Sequence, residues 1–211
     1  MQFTISPDIE AKRLAIRTFV DERLIPLERD RASYDAHENI QHGLLAELRQ
    51  ETRAMGIWAL QSPKARGGGG LLMAEQAVLY EEMNRSIFGP VCFNCSAPDD
   101  GNMRVMAQVA TKAQQDWWLQ PVIDGKINSS FIMTEPMDED GRGCGSDPSL
   151  TNTEAVRTNT GWKIHGRKWF ITGAETAQHF ILIARTSPDE RRGLTAFLFD
   201  RNQPVLVRTA S

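Results

Sequence analysis

The 211-residue sequence lacks the features that mark several classes of protein. It contains no apolar run near the roughly 18 residues that a transmembrane helix needs. Residues 1–5 show no basic start followed by an apolar stretch, so we predict no secretory signal. This absence favours a cytoplasmic protein and leaves an organellar matrix open. Lys and Arg number 24 against 27 Asp and Glu, without a basic stripe, which argues against a nucleic-acid-binding protein.

Cysteine is scarce as well, and its spacing does not fit the usual cysteine-based sites. Cys92 and Cys95 form a C-x-x-C pair, but no second pair of ligands follows at zinc spacing, and Cys144 stands alone. His37 and His42 are five residues apart, which does not place them on one face of a helix. We therefore predict buried thiols in a reducing compartment and no metal site.

Hydrophobic periodicity changes character near Gly125. Before it, apolar residues recur at helical spacing, and after it they alternate or run continuously in short stretches that are typical of strands. The predicted helices centre on residues 16–24, 44–48, 74–81 and 112–119. The first should bend or end at Pro26, and Trp117 with Trp118 should anchor the last. The predicted strands are 129–134, 162–172, 179–184, 194–199 and 205–207, with Gly166 marking a turn or bulge within the second.

Helices followed by strands predict an α+β fold. Because no helical pattern separates the strands, we expect an antiparallel β-sandwich or barrel-like sheet. The predicted domains are an all-helical N-terminal domain at residues 1–127 and a β domain at residues 128–211.

Four consecutive glycines at residues 67–70 invite comparison with a phosphate-binding loop. A P-loop would continue with Gly-Lys-Ser or Gly-Lys-Thr, whereas Leu71 and Leu72 follow here. A dinucleotide-binding loop would follow a strand, and residues 62–66 make a poor strand. We predict a connector before the third helix.

Two acidic features remain. Asp138-Glu139-Asp140 lacks the alternate ligand spacing of a calcium loop, and we interpret it as a solvated loop tip. Glu81 falls on an apolar helical face, where it could act as a half-buried base or pair with Arg85 four residues later. We favour the ion pair.

A candidate ligand site lies where two predicted strands end. Phe131-Ile-Met-Thr-Glu-Pro136 is followed by Gly145-Ser-Asp147, and Lys168-Trp-Phe-Ile-Thr172 ends a second strand. A flavin ring needs an aromatic face to stack on and polar partners for its edge. Aromatic rings, hydroxyls and backbone donors at these strand ends favour a site for such a planar, polar-rimmed ligand.

The same segments resemble the acyl-CoA dehydrogenase family. The motifs that carry the resemblance are Met133-Thr-Glu-Pro136, Gly145-Ser-Asp147 and His165-Gly-Arg-Lys-Trp-Phe-Ile-Thr-Gly173. Further landmarks follow in the family's order at residues 15–22, 26–28, 67–70, 81–83, 97–103, 118–121 and 125–127. The likeness covers nearly the whole chain. Residues 97–103, 118–121 and 125–127 together are similar to the branch often linked to long-chain or unusual acyl-CoA substrates.

The resemblance implies a helical domain, a middle β domain and a C-terminal four-helix domain, with FAD between the last two. The residues implied to contact the flavin are Phe131, Met133, Thr134, Phe170, Ile171 and Thr172. Ser146 is implied to lie near the acyl-CoA substrate. The sequence departs from the family at Phe170, where Trp is usual, and at residues 137–144, which lengthen the loop before Gly145.

The implied function is that of an FAD-dependent oxidoreductase of fatty acid oxidation, which dehydrogenates an acyl-CoA thioester between its α and β carbons. A homo-oligomer that passes electrons to an electron-transfer flavoprotein is implied as well. No residue matches the family's catalytic glutamate, which belongs to the C-terminal domain, so we predict no catalytic residue here. We expect this chain to be truncated and inactive alone, with an exposed edge near residues 205–207 that causes self-association. The alternatives are a non-catalytic short relative that binds flavin or acyl-CoA, half of a split enzyme, or a gene fragment.

Overall fold

The computed structural model describes residues 4–137, 143–189 and 192–202, and the chain divides into two units after Gly125. The first unit is helical, and each of the four predicted helices is present. Its helices are α1 (Pro7–Phe19), α2 (Ile25–Glu28), α3 (His42–Ala54), α4 (Met73–Met83), α5 (Gly89–Cys92), α6 (Asp99–Val109), α7 (Lys112–Gln114) and α8 (Gln120–Ile123). Short 3-10 turns lie at Arg31–Ser33 and Lys64–Arg66. Helix α6 was not predicted, because Asp99, Asp100, Gly101 and Asn102 weaken its apolar pattern.

Two π-helical turns carry the chain past prolines in this unit. Val20–Leu24 joins α1 to α2, and Gln115–Leu119 joins α7 to α8. Pro26 and Pro121 each lie at the second position of the helix that follows. Proline removes one N–H donor, and its ring clashes with the carbonyl four residues earlier in an α-helix. The wider π turn accommodates both effects, so the helix continues past Pro26 to Glu28.

The apolar face predicted for α1 forms part of the core of the helical unit. Ile16, Phe19, Val20 and Leu24 are all buried. They belong to a cluster that also contains Leu48, Leu79, Met83, Phe88 and Phe93. Of the pair predicted to anchor the last helix, Trp117 is 63% exposed and Trp118 is half-buried, whereas Leu119 is buried. Within the described residues, no helix is both long and apolar enough to cross a membrane.

A buried carboxylate ties α1 to α4. Glu82 is 3% exposed and accepts hydrogen bonds from Arg13 and Arg17, each at 2.6 Å. The hydrogen bond from Arg17, followed by that from Arg13, lowers the pKa of Glu82 against the opposing effect of burial. Glu81 is exposed and forms no ion pair among the described residues, so its predicted pairing with Arg85 is wrong. The carboxylate 3.6 Å from Arg85 belongs to Glu82.

The second unit contains a five-stranded mixed sheet. Its strands are β1 (Ser129–Ile132), β2 (Glu154–Thr158), β3 (Gly161–His165), β4 (His179–Arg185) and β5 (Leu194–Asp200). A 3-10 turn at Pro148–Leu150 precedes β2. Strand β4 is antiparallel to β5 and parallel to β1, with Ser129 opposite His179. It also pairs in parallel with β2 at Arg185 and Glu154, and β2 forms an antiparallel hairpin with β3.

The order of helices and strands confirms the predicted α+β fold, but the expectation of a purely antiparallel sheet was wrong. The chain between β1 and β4 includes the β2–β3 hairpin, and is therefore long enough to return to the same end of the sheet. An alternating pattern indicates a strand without indicating the direction of its neighbour.

The predicted strand at residues 162–172 also needs correction. Only Gly161–His165 belongs to the sheet, and the chain leaves it at Gly166. A Cβ at Gly166 would lie 2.3 Å from Thr153 Oγ1, so this close approach requires glycine. Strand β2 was not predicted. The predicted strand at 205–207 and the acidic loop tip at 138–140 lie outside the described residues.

Candidate functional site

The glycine-rich connector at residues 67–70 has no free backbone donors for a phosphate group. The N–H groups of its four glycines donate to the carbonyls of Lys64, Pro63, Ala59 and Ser62, respectively. A Cβ at Gly68 would lie 2.4 Å from Ser62 O, so the loop is packed against its own chain. This loop is a structural connector, as the sequence predicted.

The three cysteines form no disulfide bond. All three are free and buried, and burial raises the pKa of Cys92 and of Cys95 to about 12. Among the described residues, no group of three His, Cys, Asp or Glu side chains could hold a metal ion.

Two segments of the β unit lie side by side, and they contain six of the seven residues that the sequence assigned to ligands. The first is residues 130–134, the end of β1 and its continuation, and the second is residues 168–172; we call them the paired segments. Trp169 N–H donates to Thr134 O at 3.1 Å, and Thr134 Oγ1 donates to Trp169 O at 2.6 Å. Ser130 Oγ donates to Thr172 O at 2.8 Å. The structure therefore brings together Phe131, Met133, Thr134, Phe170, Ile171 and Thr172.

Ser146, the seventh residue, lies on the adjoining loop. A β-bridge between Glu135 and Gly145 holds this loop beside the first paired segment, and Ser146 follows it with its surface exposed. Asp147 caps the 3-10 turn after Ser146 by accepting from the Ser149 N–H at 2.9 Å. The residues that lengthen the loop lie mostly outside the described part.

Phe170 has the most unusual environment in the paired segments. Its φ is 52°, in the left-handed region that bulky residues rarely adopt, and its surface is 82% exposed. The ring centroid of Trp169 lies 4.5 Å away, and Trp169 is itself 42% exposed. An aromatic side chain held in a strained conformation and presented outwards is typical of a ligand-binding position.

The backbone beside Phe170 presents donors without partners. Within the part of the chain that the structure describes, the N–H groups of Phe170, Ile171 and Thr172 donate no hydrogen bond. The carbonyls of Ile171 and Thr172, in contrast, accept from Ala174 N–H and Ser130 Oγ. The second paired segment thus combines an aromatic face with a row of free N–H donors.

A buried ion pair lies next to these positions. Lys168 Nζ is 2.9 Å from Glu135 Oε1 and donates to Met133 O at 2.7 Å, with the Lys168 and Glu135 side chains 7% and 3% exposed. Glu135 also accepts from the N–H groups of Asn152 at 2.7 Å and Thr153 at 2.8 Å. Burial acts to raise the pKa of Glu135, but the hydrogen bonds from Thr153, Asn152 and Lys168 outweigh it and lower that pKa.

Sequence reasoning did not assign roles to Glu135 and Lys168, although both lie inside the quoted motifs. The alternation of the chain was the available signal, since a charged residue between half-buried neighbours needs a partner. A cleft of about 260 Å³ opens beside Glu135, between Met137 and the turn at His165–Arg167. None of the seven predicted ligand residues lines this cleft.

Comparison with known proteins identifies the family. A family model described as "Acyl-CoA dehydrogenase, N-terminal domain" matches residues 6–126, and one described as "Acyl-CoA dehydrogenase, middle domain" matches residues 130–211. The chain belongs to the acyl-CoA dehydrogenase family. The resemblance seen in the sequence motifs is thereby confirmed.

Two curated relatives show how much of the family's length is present. The chain is 32% identical over 217 residues to (R)-benzylsuccinyl-CoA dehydrogenase of Thauera aromatica, which covers 98% of this chain and 52% of that protein. It is 33% identical over 167 residues to acyl-CoA dehydrogenase family member 11 of Gallus gallus, covering 76% of this chain and 20% of that protein. The chain therefore spans about half the length of the first relative and a fifth of the second.

Solved structures agree with the fold. A candidate acyl-CoA dehydrogenase from Mycobacterium abscessus superposes with a TM-score of 0.82 at 32% identity, covering 99% of this chain and 54% of that chain. The FAD complex of PigA superposes with a TM-score of 0.76 over 97% of this chain and 50% of that chain. At 21% identity, the second likeness shows the fold alone.

Proposed function

We propose that these 211 residues form the flavin-facing part of an FAD-dependent acyl-CoA dehydrogenase, with residues 1–127 as the helical domain and 128–211 as the β domain. The observation that carries the proposal is the exposed, left-handed Phe170 beside three backbone N–H groups that donate to no described residue. FAD, when bound, would supply the site with an acceptor for hydride from the β carbon of an acyl-CoA thioester.

The donor set of the paired segments fits a flavin. The ring of a flavin is planar and apolar on its faces, and its edge carries carbonyl oxygens and ring nitrogens that accept hydrogen bonds. Phe170 offers a face for stacking, and the N–H groups of Phe170, Ile171 and Thr172 offer donors at its side. The Thr134 proton is directed at Trp169 O, so the Thr134 hydroxyl offers an acceptor. We assign the flavin contacts to Phe131, Met133, Thr134, Phe170, Ile171 and Thr172.

The proposed substrate is an acyl-CoA, with Ser146 on the exposed loop as a contact for it. Proton abstraction from the α carbon requires a base aligned with that proton, and no residue of this sequence matches the family's catalytic glutamate. General-base catalysis contributes about 10²- to 10⁴-fold, so the 211 residues alone should not turn over acyl-CoA. Passage of electrons to an electron-transfer flavoprotein and assembly as a homo-oligomer belong to the proposal for the whole enzyme.

Titration of FAD with the purified chain tests the proposal, with binding followed by quenching of flavin fluorescence. Phe170→Ala should raise Kd about three- to tenfold, because aromatic stacking contributes about 0.5–1.5 kcal/mol beyond buried area. Trp117→Ala removes another exposed aromatic ring, 63% accessible, from the helical unit and should leave Kd unchanged. Equal effects of the two substitutions, or steady dehydrogenation of an acyl-CoA by the chain alone, would contradict the proposal.

A further inference from the structure

The conformation of Phe170 requires contacts that fix it. A bulky residue at positive φ persists only where the neighbouring structure holds the backbone, and the exposed Phe170 ring supplies little packing of its own. The backbone just before Phe170 is held by Trp169, which exchanges two hydrogen bonds with Thr134. What keeps Thr134 and Trp169 in register therefore also sets the direction of the Phe170 ring.

Glu135 and Lys168 lie directly beside this pair, each one residue away from it. Lys168 precedes Trp169 and reaches across to Met133 O, while Glu135 follows Thr134 and meets Lys168 Nζ. Each paired segment is thus tied to the other at a charged side chain next to the Thr134–Trp169 hydrogen bonds. Glu135 is also bonded to the Asn152 and Thr153 N–H groups, which fixes its position relative to the start of β2.

We propose that Glu135 and Lys168 are positioning residues, whose buried ion pair keeps Thr134 and Trp169 in register and holds Phe170 in its exposed, left-handed conformation. The inference rests on the proposed function for the identity of the ligand that Phe170 meets. The two charges favour one register of the paired segments, because any register that separates Glu135 from Lys168 leaves each ion buried without its counter-charge. A slipped pairing would separate Lys168 from both Glu135 and Met133 O.

Hydrogen exchange of the FAD-free chain tests the positioning directly. The Trp169 amide donates to Thr134 O, so its exchange rate reports whether the paired segments stay in register. Lys168→Met, which keeps the length of the side chain without its charge, should speed exchange of this amide about tenfold or more relative to amides of β4 and β5. Glu82→Gln is the control, since it removes a buried charge from the helical unit, and it should leave the Trp169 rate unchanged relative to the same amides of β4 and β5. An unchanged rate in folded Lys168→Met would overturn the inference.

A double-mutant cycle on FAD binding provides the second readout. In the otherwise unaltered chain, Lys168→Met should raise Kd about three- to tenfold, as much as Phe170→Ala does. In the Phe170→Ala background, the same change should raise Kd less than about twofold, because the ring through which Lys168 acts is gone. Equal losses in both backgrounds would show a merely structural effect and would overturn the inference.

Hydrogen exchange and the FAD-binding cycle together distinguish failure of the positioning role from failure of the proposed function. A folded chain that binds no FAD would refute the proposed function, while the Trp169 exchange rate would still decide whether the ion pair positions the segment. Should Lys168→Met not fold, Glu135→Gln keeps the shape of the side chain and should speed the same exchange to a smaller extent. Lys168→Arg keeps the charge and should restore slow exchange. An unchanged exchange rate of the Trp169 amide in Glu135→Gln would count against the positioning role.

Discussion

Phe170 should tolerate glycine better than alanine, because its backbone is strained and its ring is exposed. With 82% of its surface accessible, about a fifth is buried, roughly 40 Å² of a residue that can bury about 200 Å². At about 25 cal/mol per Å², this burial stabilises the fold by about 1 kcal/mol. A left-handed conformation costs a residue with a Cβ about 1–2 kcal/mol, a cost that glycine does not carry.

The two substitutions therefore differ in a calculable way. Phe170→Ala loses the burial and keeps the strain, so it should lower the free energy of unfolding by about 1 kcal/mol. Phe170→Gly also loses the burial, but it removes the strain and adds about 0.5–1 kcal/mol of backbone entropy to the unfolded chain. The sum is close to zero, and Phe170→Gly should be about 0.5–1 kcal/mol more stable than Phe170→Ala.

Urea unfolding followed by circular dichroism measures this difference by linear extrapolation. Both variants should bind FAD more weakly. Phe170→Gly should therefore be more stable than Phe170→Ala without binding FAD more tightly. A glycine variant less stable than the alanine variant would refute the left-handed assignment at Phe170. A loss above about 3 kcal/mol in the alanine variant would show that the ring is buried.

Three further predictions follow from the buried charges and thiols. Glu82→Gln removes charged hydrogen bonds to Arg13 and Arg17, so it should lower the free energy of unfolding, measured by urea denaturation, by about 1–3 kcal/mol. The control Glu51→Gln, in an exposed ion pair, should lower it by less than about 1 kcal/mol. Glu82 and Glu135 have pKa values lowered from an ordinary 4.5, so their stabilisation is present above about pH 4.5 and is lost as pH falls through the lower folded values. The Tm should therefore be nearly constant from pH 7 to about 5.5 and should fall below about pH 4.5. A Tm that does not fall at acid pH would contradict the ion pairing. Because burial raises the pKa of Cys92 and Cys95 to about 12, these two thiols should not react with a disulfide reagent at neutral pH until the chain unfolds. Fast reaction of more than one thiol in the folded chain would refute their burial.

Most helices and strands could be predicted from the sequence, because hydrophobic periodicity indicates which face of a helix or strand is buried. The stripe from Ile16 to Leu24 lies in the core, and the apolar run at β4 is the central strand. Direction of pairing could not be read, since period-two alternation is the same in parallel and antiparallel strands. The π turns before Pro26 and Pro121 were also missed, because the usual rule treats proline as a helix end.

The sequence motifs predicted which residues form the candidate site. They did not predict the hydrogen bonds and the ion pair that hold these residues in place. Phe131 to Thr134 and Phe170 to Thr172 are brought together by hydrogen bonds across residues distant in sequence, such as Thr134 to Trp169. The ion pair of Glu135 with Lys168 depends on the same long-range pairing. Alternation could show that each charged residue needs a partner, but it could not show that the two residues are partners of each other. The left-handed φ of Phe170 was unpredictable for the opposite reason, since local preference argues against it.

Gel filtration of the chain on a column equilibrated with FAD tests the central claim most directly, because it detects binding even when dissociation is fast. We expect an excess of flavin at the protein peak with a perturbed visible spectrum, and a smaller excess for Phe170→Ala. A folded chain that passes through the column with no excess flavin would contradict the claim that its paired segments face the flavin ring.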